Sequence, residues 1–271
     1  MTASLPLIFE QHGDVALITI NRPEVHNAMN PEVICRLADT WEKINSDPEI
    51  RAAVVTGAGE RTFCSGGDLS TALPLLTGAR DPQDVWDTRM VSDPNIAGRA
   101  TLKGVTMEKP LIAAINGACL AGGMELVLGC HLRIAATGAM FGLPEPKHGL
   151  IPFGGSLVRL PRQIPYVHAM EILLTGEFFP AETALDYGIV NHVLPADEVL
   201  PAAMALAEKI AANGPLAIRE ILSVVAETSG RDMDAAYEVE TQGMGRVMAS
   251  HDAREGPRAF VEKRKPIFKG N

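Results

Sequence analysis

Two carboxylates stand out by the company they keep. Glu125 follows a Gly-Gly pair in Ala121-Gly122-Gly123-Met124-Glu125, at the head of an otherwise apolar run. Glu145 sits between two prolines in Phe141-Gly142-Leu143-Pro144-Glu145-Pro146. Pointed into one pocket, such a pair can work as acid and base, because neighbouring carboxyls do not ionise together. Glycine-rich turns supply the complementary chemistry. Phe63-Cys64-Ser65-Gly66-Gly67-Asp68 and Ala121-Gly122-Gly123 each follow strand-like sequence, and the second opens a helix. The first turn of a helix leaves backbone N–H groups unpaired, and small residues let a ligand carbonyl approach them closely. Two such donors on one carbonyl oxygen would stabilise an enolate-like intermediate. Each feature alone has a plainer account as well. Acidic residues gain roughly 0.3–1 kcal/mol in a first helical turn, and Gly-Gly is ordinary turn sequence.

Other chemistries lack their residues. Gly57-Ala58-Gly59 follows a strand, yet the third glycine of a dinucleotide loop is replaced by Thr62. No phosphate-loop motif of the G-x-x-x-x-G-K-[ST] form occurs, and Ser65 lacks the G-x-S-x-G context of a nucleophile elbow. The histidines are scattered without ligand spacing, so no metal site is expected; His148 alone lies near the interesting residues. Cys35, Cys64, Cys119 and Cys130 are far apart and read as reduced thiols of a cytoplasmic protein.

The elements that must position these residues can be outlined from periodicity. Residues 14–20 alternate and are β-branched, which predicts a strand. Pro31 to Ile44 predicts an amphipathic helix with Val33, Ile34, Leu37, Trp41 and Ile44 on one face. Residues 52–59 and 111–120 predict buried strands, 124–136 a helix, the stretch near Ala139–Phe141 a short strand, and Gly154-Gly155-Ser156 a helix start. Strand-turn-helix units in series indicate an α/β core built by repetition. Residues 69–104 break this rhythm with Pro74, Pro82 and Pro94, as a lid beside a pocket does. After about Leu200 strand signals stop and helices follow, so residues 1–200 are expected to form the core and 201–271 a helical appendage for assembly.

Composition sets the outer limits. The 271 residues are 46% apolar and 21% charged, as in ordinary globular chains. No apolar run reaches the roughly 18–20 residues needed to span a membrane. The N-terminal segment lacks the basic start and apolar stretch of a secretion signal. The net charge of −9 argues against nucleic-acid partners, though it leaves room for an anionic small ligand held by a few local cations.

The same motifs, in order, resemble the crotonase or enoyl-CoA hydratase/isomerase superfamily over nearly the whole chain. They are NRPEVHNAMN (21–30), FCSGGDL (63–69), KPLIAAINGACLAGGMELVLGCHLRIA (109–135) and FGLPEPKHGLIPFGGS (141–156), followed by LTGEFFPAETALDYGIVNHVLP (174–195) and EGPRAFVEKRKPIFKG (255–270). The resemblance implies a spiral of repeated ββα units with a C-terminal helical trimerisation region. It also implies an acyl-CoA thioester substrate, no cofactor beyond the substrate's own coenzyme A, and a homotrimer or dimer of trimers. Carried over by position, the backbone N–H groups of Ser65 and Gly122 would be the oxyanion donors. Glu125 and Glu145 would be the two catalytic glutamates of a 2-enoyl-CoA hydratase. Arg22, His26, Cys64, Ser65, Gly67, Asp68, Leu69 and Lys263 would contact coenzyme A, Lys263 across a subunit boundary. A Δ3,Δ2-enoyl-CoA isomerase, a carnitinyl-CoA-type dehydratase and a catalytically silent thioester binder remain the alternatives. RNA binding, known in one branch, is disfavoured by the acidic helix VICRLADTWEKINSDPE. His131 replaces an aspartate common in relatives and is expected to be structural.

Overall fold

The computed structural model describes residues 5–271. Its ten strands, in chain order, are β1 (Leu7–His12), β2 (Val15–Ile20), β3 (Ala52–Gly57), β4 (Thr62–Cys64), β5 (Leu111–Ile115), β6 (Ala118–Leu120), β7 (Leu132–Ala136), β8 (Met140–Gly142), β9 (Phe179–Pro180) and β10 (His192–Leu194). They form a six-stranded sheet of order β1-β2-β3-β5-β7-β10 and a four-stranded sheet of order β4-β6-β8-β9. Among the described residues only the β1–β2 hairpin and the β8–β9 pair are antiparallel. The pairs β3/β4, β5/β6 and β7/β8 each send their first strand to the large sheet and their second to the small one. Helical segments follow each pair, so the chain winds as a spiral of ββα turns. The large-sheet strands are near-continuous runs such as AAVVTG and LIAAI, as expected of strands buried on both faces.

The segment 111–120, expected as one strand, is two strands in different sheets. Asn116 and Gly117 make the transfer. The Asn116 side chain accepts from Gly57 N (3.2 Å) and donates to Gly59 O (2.7 Å). Any Cβ on Gly117 would collide with the Arg61 carbonyl. The segment 124–136, expected as one helix, is also divided. Helix α5 (Gly122–Gly129) ends at Cys130, and β7 follows. Buried Arg133 explains the break: its guanidinium donates to the last carbonyls of α5, Leu128 O and Cys130 O, both at 3.1 Å. His131 Nδ1 accepts the Leu111 N–H at 3.0 Å, a bond between strand ends that gives this residue a structural role.

Helix α1 (Pro31–Ser46) carries the expected apolar face, capped by Asn30, whose side chain accepts from Val33 N. The irregular stretch after β4 holds three short helices: α2 (Ala72–Leu76), α3 (Val85–Ser92) and α4 (Ile96–Ala100). Polar ties replace apolar periodicity here. Asp84 caps α3, Arg80 grips Asp87 through two nitrogens (2.6 and 2.9 Å), and Trp41 Nε1 donates to Ala100 O at 3.0 Å. Beyond α5 come α6 (Ser156–Gln163), α7 (Tyr166–Thr175) and α8 (Ala181–Asp186). The boundary expected at residue 200 falls inside α9 (Ala196–Ala211), whose buried Val199, Ala203, Ala207 and Ala211 pack on the large sheet. Helices α10 (Pro215–Thr228), α11 (Met233–Met248) and α12 (Asp252–Val261) then pack chiefly on one another.

Candidate active site

Three neighbouring strands of the small sheet end at one place. β4 runs into Ser65–Gly67, β6 into Ala121–Gly122, and β8 into Leu143–Glu145. Parallel pairing puts their carboxyl ends side by side, the position where α/β sheets commonly hold ligands. The cavity there measures about 230 Å³. Ser65, Gly67, Leu69, Gly122, Glu125, Glu145 and His148 all line it, together with apolar side chains from α2, α4 and the 150–153 loop. The spiral therefore brings the two glutamates and both glycine-rich turns together.

The backbone donors are set by alternation. Met29 pairs with Gly67 in a single parallel bridge: Met29 N donates to Gly66 O (2.8 Å), and Asp68 N donates to Met29 O (3.0 Å). That geometry turns the groups of Gly67 itself away from Met29. Among the described residues the Gly67 N–H donates to no protein acceptor, and neither does the Gly122 N–H in the first turn of α5. The Ser65 N–H, expected as an oxyanion donor, is instead spent on His26 O at 3.1 Å. The correction moves the candidate donor two residues on, to Gly67, and the unpaired bridge residue is the feature that marks it.

Close approach demands small residues at these turns. Gly66 has φ +102, and a Cβ there would stand 2.6 Å from Ala121 Cβ and 3.1 Å from Gly122 N. Added to Gly122, a Cβ would meet Met29 Cε at 2.8 Å and lie 3.6 Å from Gly67 N. The two turns are thus in van der Waals contact, with their free N–H groups adjacent.

The glutamates occupy unlike surroundings. Glu125 is buried, with 4% of its surface exposed. Burial raises its pKa, while the N–H groups of Ser156 and Gly154 and the charge of Arg159 pull the other way. Ser156 N lies 3.4 Å from Oε1. A Cβ on Gly154 would stand 2.5 Å from Glu125 Oε2, so only glycine leaves room for this carboxylate. Glu145 opens a short 3₁₀ turn to His148. Burial pushes its pKa up to about 7, and the nearby charge of Glu125 adds to the rise. Its buried Oε2 has no hydrogen-bond partner in the protein. Burial thus raises both carboxyls, but only Glu125 has neighbouring N–H groups and an arginine charge opposing the rise, so the two surroundings differ.

Support comes from residues the motifs did not single out. Arg159 on α6 donates to Thr101 O (2.8 Å), to the main-chain oxygen of Glu125 (3.3 Å) and to Leu102 O. Thr101 Oγ1 donates to Gly154 O at 2.9 Å. Arginine on an otherwise ordinary helix gave no sequence signal for this role.

The residues expected to contact coenzyme A divide. Ser65, Gly67 and Leu69 line the cavity, and His26 is exposed beside it in sequence, its carbonyl holding Ser65. Arg22, expected to contact coenzyme A, acts as a clamp inside the protein: Nη1 donates to Ala28 O (2.5 Å) and Asp68 Oδ2 (3.0 Å). Asp68 is its buried partner, and neither residue lines the cavity. Cys64 is also corrected, being wholly buried, with its thiol pushed up to about 12 by burial. Lys263 is exposed beyond α12, in a segment tied to that helix through Phe260 O.

With this geometry in place, comparison with known proteins is direct. The family described as Enoyl-CoA hydratase/isomerase matches residues 10–271, and the chain belongs to it. Among curated relatives, Enoyl-CoA hydratase EchA19 of Mycobacterium tuberculosis is 41% identical, over 96% of this chain and 95% of its own. The (E)-benzylidenesuccinyl-CoA hydratase of Thauera aromatica is 38% identical over 98% and 100%, respectively. A crystal structure of an enoyl-CoA hydratase from Bacillus anthracis superposes with a TM-score of 0.89 at 32% identity, over 98% of this chain and 100% of that one. The fold is accordingly that of the crotonase superfamily.

Proposed function

We propose that the chain is a hydro-lyase that adds water across the 2,3 double bond of a 2-enoyl-CoA thioester. The observation that carries this reading is one apolar cavity holding two unlike carboxyls beside two unpaired backbone N–H groups. The relatives named as hydratases support the reaction class.

The steps follow from the geometry. The thioester oxygen lies between the N–H groups of Gly67 and Gly122, which withdraw electrons and leave the conjugated β-carbon electrophilic. A water held between the carboxyls gives a proton to the charged Glu125, and its oxygen bonds to the β-carbon. The electron pair of the double bond moves to the enolate, held by the two donors. Glu145 then delivers its proton to the α-carbon, and proton exchange between the carboxyls restores the pair. Each oxyanion donor is worth on the order of 10²–10³ in rate, and a positioned acid or base about 10²–10⁴. Dehydration of a 3-hydroxyacyl thioester uses the same groups in reverse. Lys263 from another copy of the chain supplies a cation, and His26 a polar ring, for the coenzyme A moiety.

The test follows loss of the enoyl-thioester ultraviolet absorbance in wild type, Glu125→Gln and Glu145→Gln. Hydration predicts rapid loss in wild type and a fall of at least about 10³-fold in each variant. No loss with any 2-enoyl thioester, but appearance of that absorbance from a 3-enoyl thioester, would replace hydration by isomerisation. Tight thioester binding without either change would leave a silent binder.

A further inference from the structure

We infer that the acyl site is an open-ended apolar channel, and that the preferred thioester carries an apolar acyl group longer or broader than the cavity itself. This rests on the hydratase reading and specifies its substrate class.

The cavity lining is of two unlike kinds. Its polar part is made by Gly67, Gly122, Glu125 and Glu145, of which Glu125 is buried and Gly67 is exposed. Away from them the walls are Leu73 and Leu76 of α2, Ala97 and Ala100 of α4, and Leu150 and Phe153 of the loop before α6. None of these six carries a charge. On α4 the wall is made by alanines at i and i+3, so the helix presents a low surface and leaves the passage wide.

The exposed apolar part of the lining carries the inference. Leu76 and Phe153 line the cavity yet are 47% and 46% exposed, respectively. With Leu69, 64% exposed, these large apolar side chains from separate segments form an exposed rim, or lip, that a short acyl group would leave partly in water. An acyl group reaching the lip covers them. The lip is also held apart. Lys103 Nζ donates to Phe153 O at 2.8 Å, and Thr101 Oγ1 to Gly154 O, tying the loop to the end of α4 and not to α2. Each methylene seated on such a wall is worth about threefold to fourfold in kcat/KM.

The experiment measures kcat/KM for 2-enoyl thioesters from crotonyl through hexenoyl and decenoyl to hexadecenoyl, with cinnamoyl as a ring-bearing member. The expected result is a rise from crotonyl to decenoyl and no collapse at hexadecenoyl. Leu76→Asp makes the lip polar, and Ala97→Phe obstructs the passage. Each should lower the decenoyl-to-crotonyl ratio at least about tenfold. Leu76 is half exposed, so its variant folds even if Ala97→Phe does not. A maximum at crotonyl with a steep fall by hexenoyl, or an unchanged ratio in Leu76→Asp, overturns the inference. If no thioester is hydrated, the hydratase reading fails separately. Affinities of saturated acyl-CoA esters then decide the channel: they must rise with chain length, and the slope must flatten in Leu76→Asp.

Discussion

Glu145 couples activity to stability. Its ordinary carboxyl pKa of 4.5 is raised to about 7 in the fold, chiefly by burial. The folded state therefore holds a proton that the unfolded chain has already lost between these values. Stability contributed by this group is full below pH 4.5 and declines as pH rises towards 7. Glu145→Gln removes the buried charge. Its denaturation midpoint should exceed that of wild type at pH 8, by on the order of 1 kcal/mol after allowance for solvent, and match it at pH 4. A variant that is catalytically dead yet no more stable at pH 8 would show that the carboxyl is well solvated. In hydration, kcat/KM should fall as pH rises through about 7, because the acid that protonates the α-carbon is lost. Both glutamates were legible in the sequence by their unusual neighbours. The unlike surroundings of their carboxyls were not, since these depend on the Ser156 and Gly154 N–H groups facing Glu125, which come from a segment thirty residues away in the chain.

At the scale of elements, the site is a property of strand ends. The small sheet aligns three turns, and α6 braces the second of them through Arg159. Arg159→Gln would free the Thr101 and Glu125 carbonyls and loosen the wall of the cavity against α5. A shift of the catalytic carboxyl by even 1 Å can cost about 10²-fold, and that loss should appear in kcat more than in KM. The charge of Arg159 also favours ionised Glu125, so the variant should move the acidic limb of the pH profile upward. A merely structural arginine would lower stability and leave that limb in place. The sequence showed where most elements begin, because caps and glycine turns are local. It concealed where 111–120 and 124–136 divide, because those breaks are made by distant partners: Asn116 reaches Gly57 and Gly59, and Arg133 is shared by α5 and β7. Residues 69–104 hid their helices for a related reason. They are fixed by ion pairs such as Arg80–Asp87 and not by an apolar period.

The whole molecule carries apolar surface that the site does not use. On α10, Ile221 and Val225 stand one turn apart and are exposed; on α11, Tyr237, Met244 and Met248 form a stripe; Phe260 projects from α12 with 84% of its surface exposed. The tail after α12 is nevertheless firmly held. Asp252 accepts from Lys269 N and Gly270 N, both at 2.8 Å, and Glu255 accepts from Arg264 and from Ile267 N. Exposed apolar stripes beside so firmly held a tail are the kind of surface that further copies of the chain would cover. Sedimentation should show a trimer or a dimer of trimers, and Val225→Asp combined with Met244→Asp should yield a folded monomer. Lys263 then separates assembly from catalysis. If it reaches the coenzyme A phosphates of a neighbouring copy, Lys263→Glu should raise KM about tenfold with kcat and oligomer size unchanged. The monomeric double variant should show the same rise in KM although its own Lys263 is intact. An unaltered KM in both would confine coenzyme A recognition to the residues of a single chain.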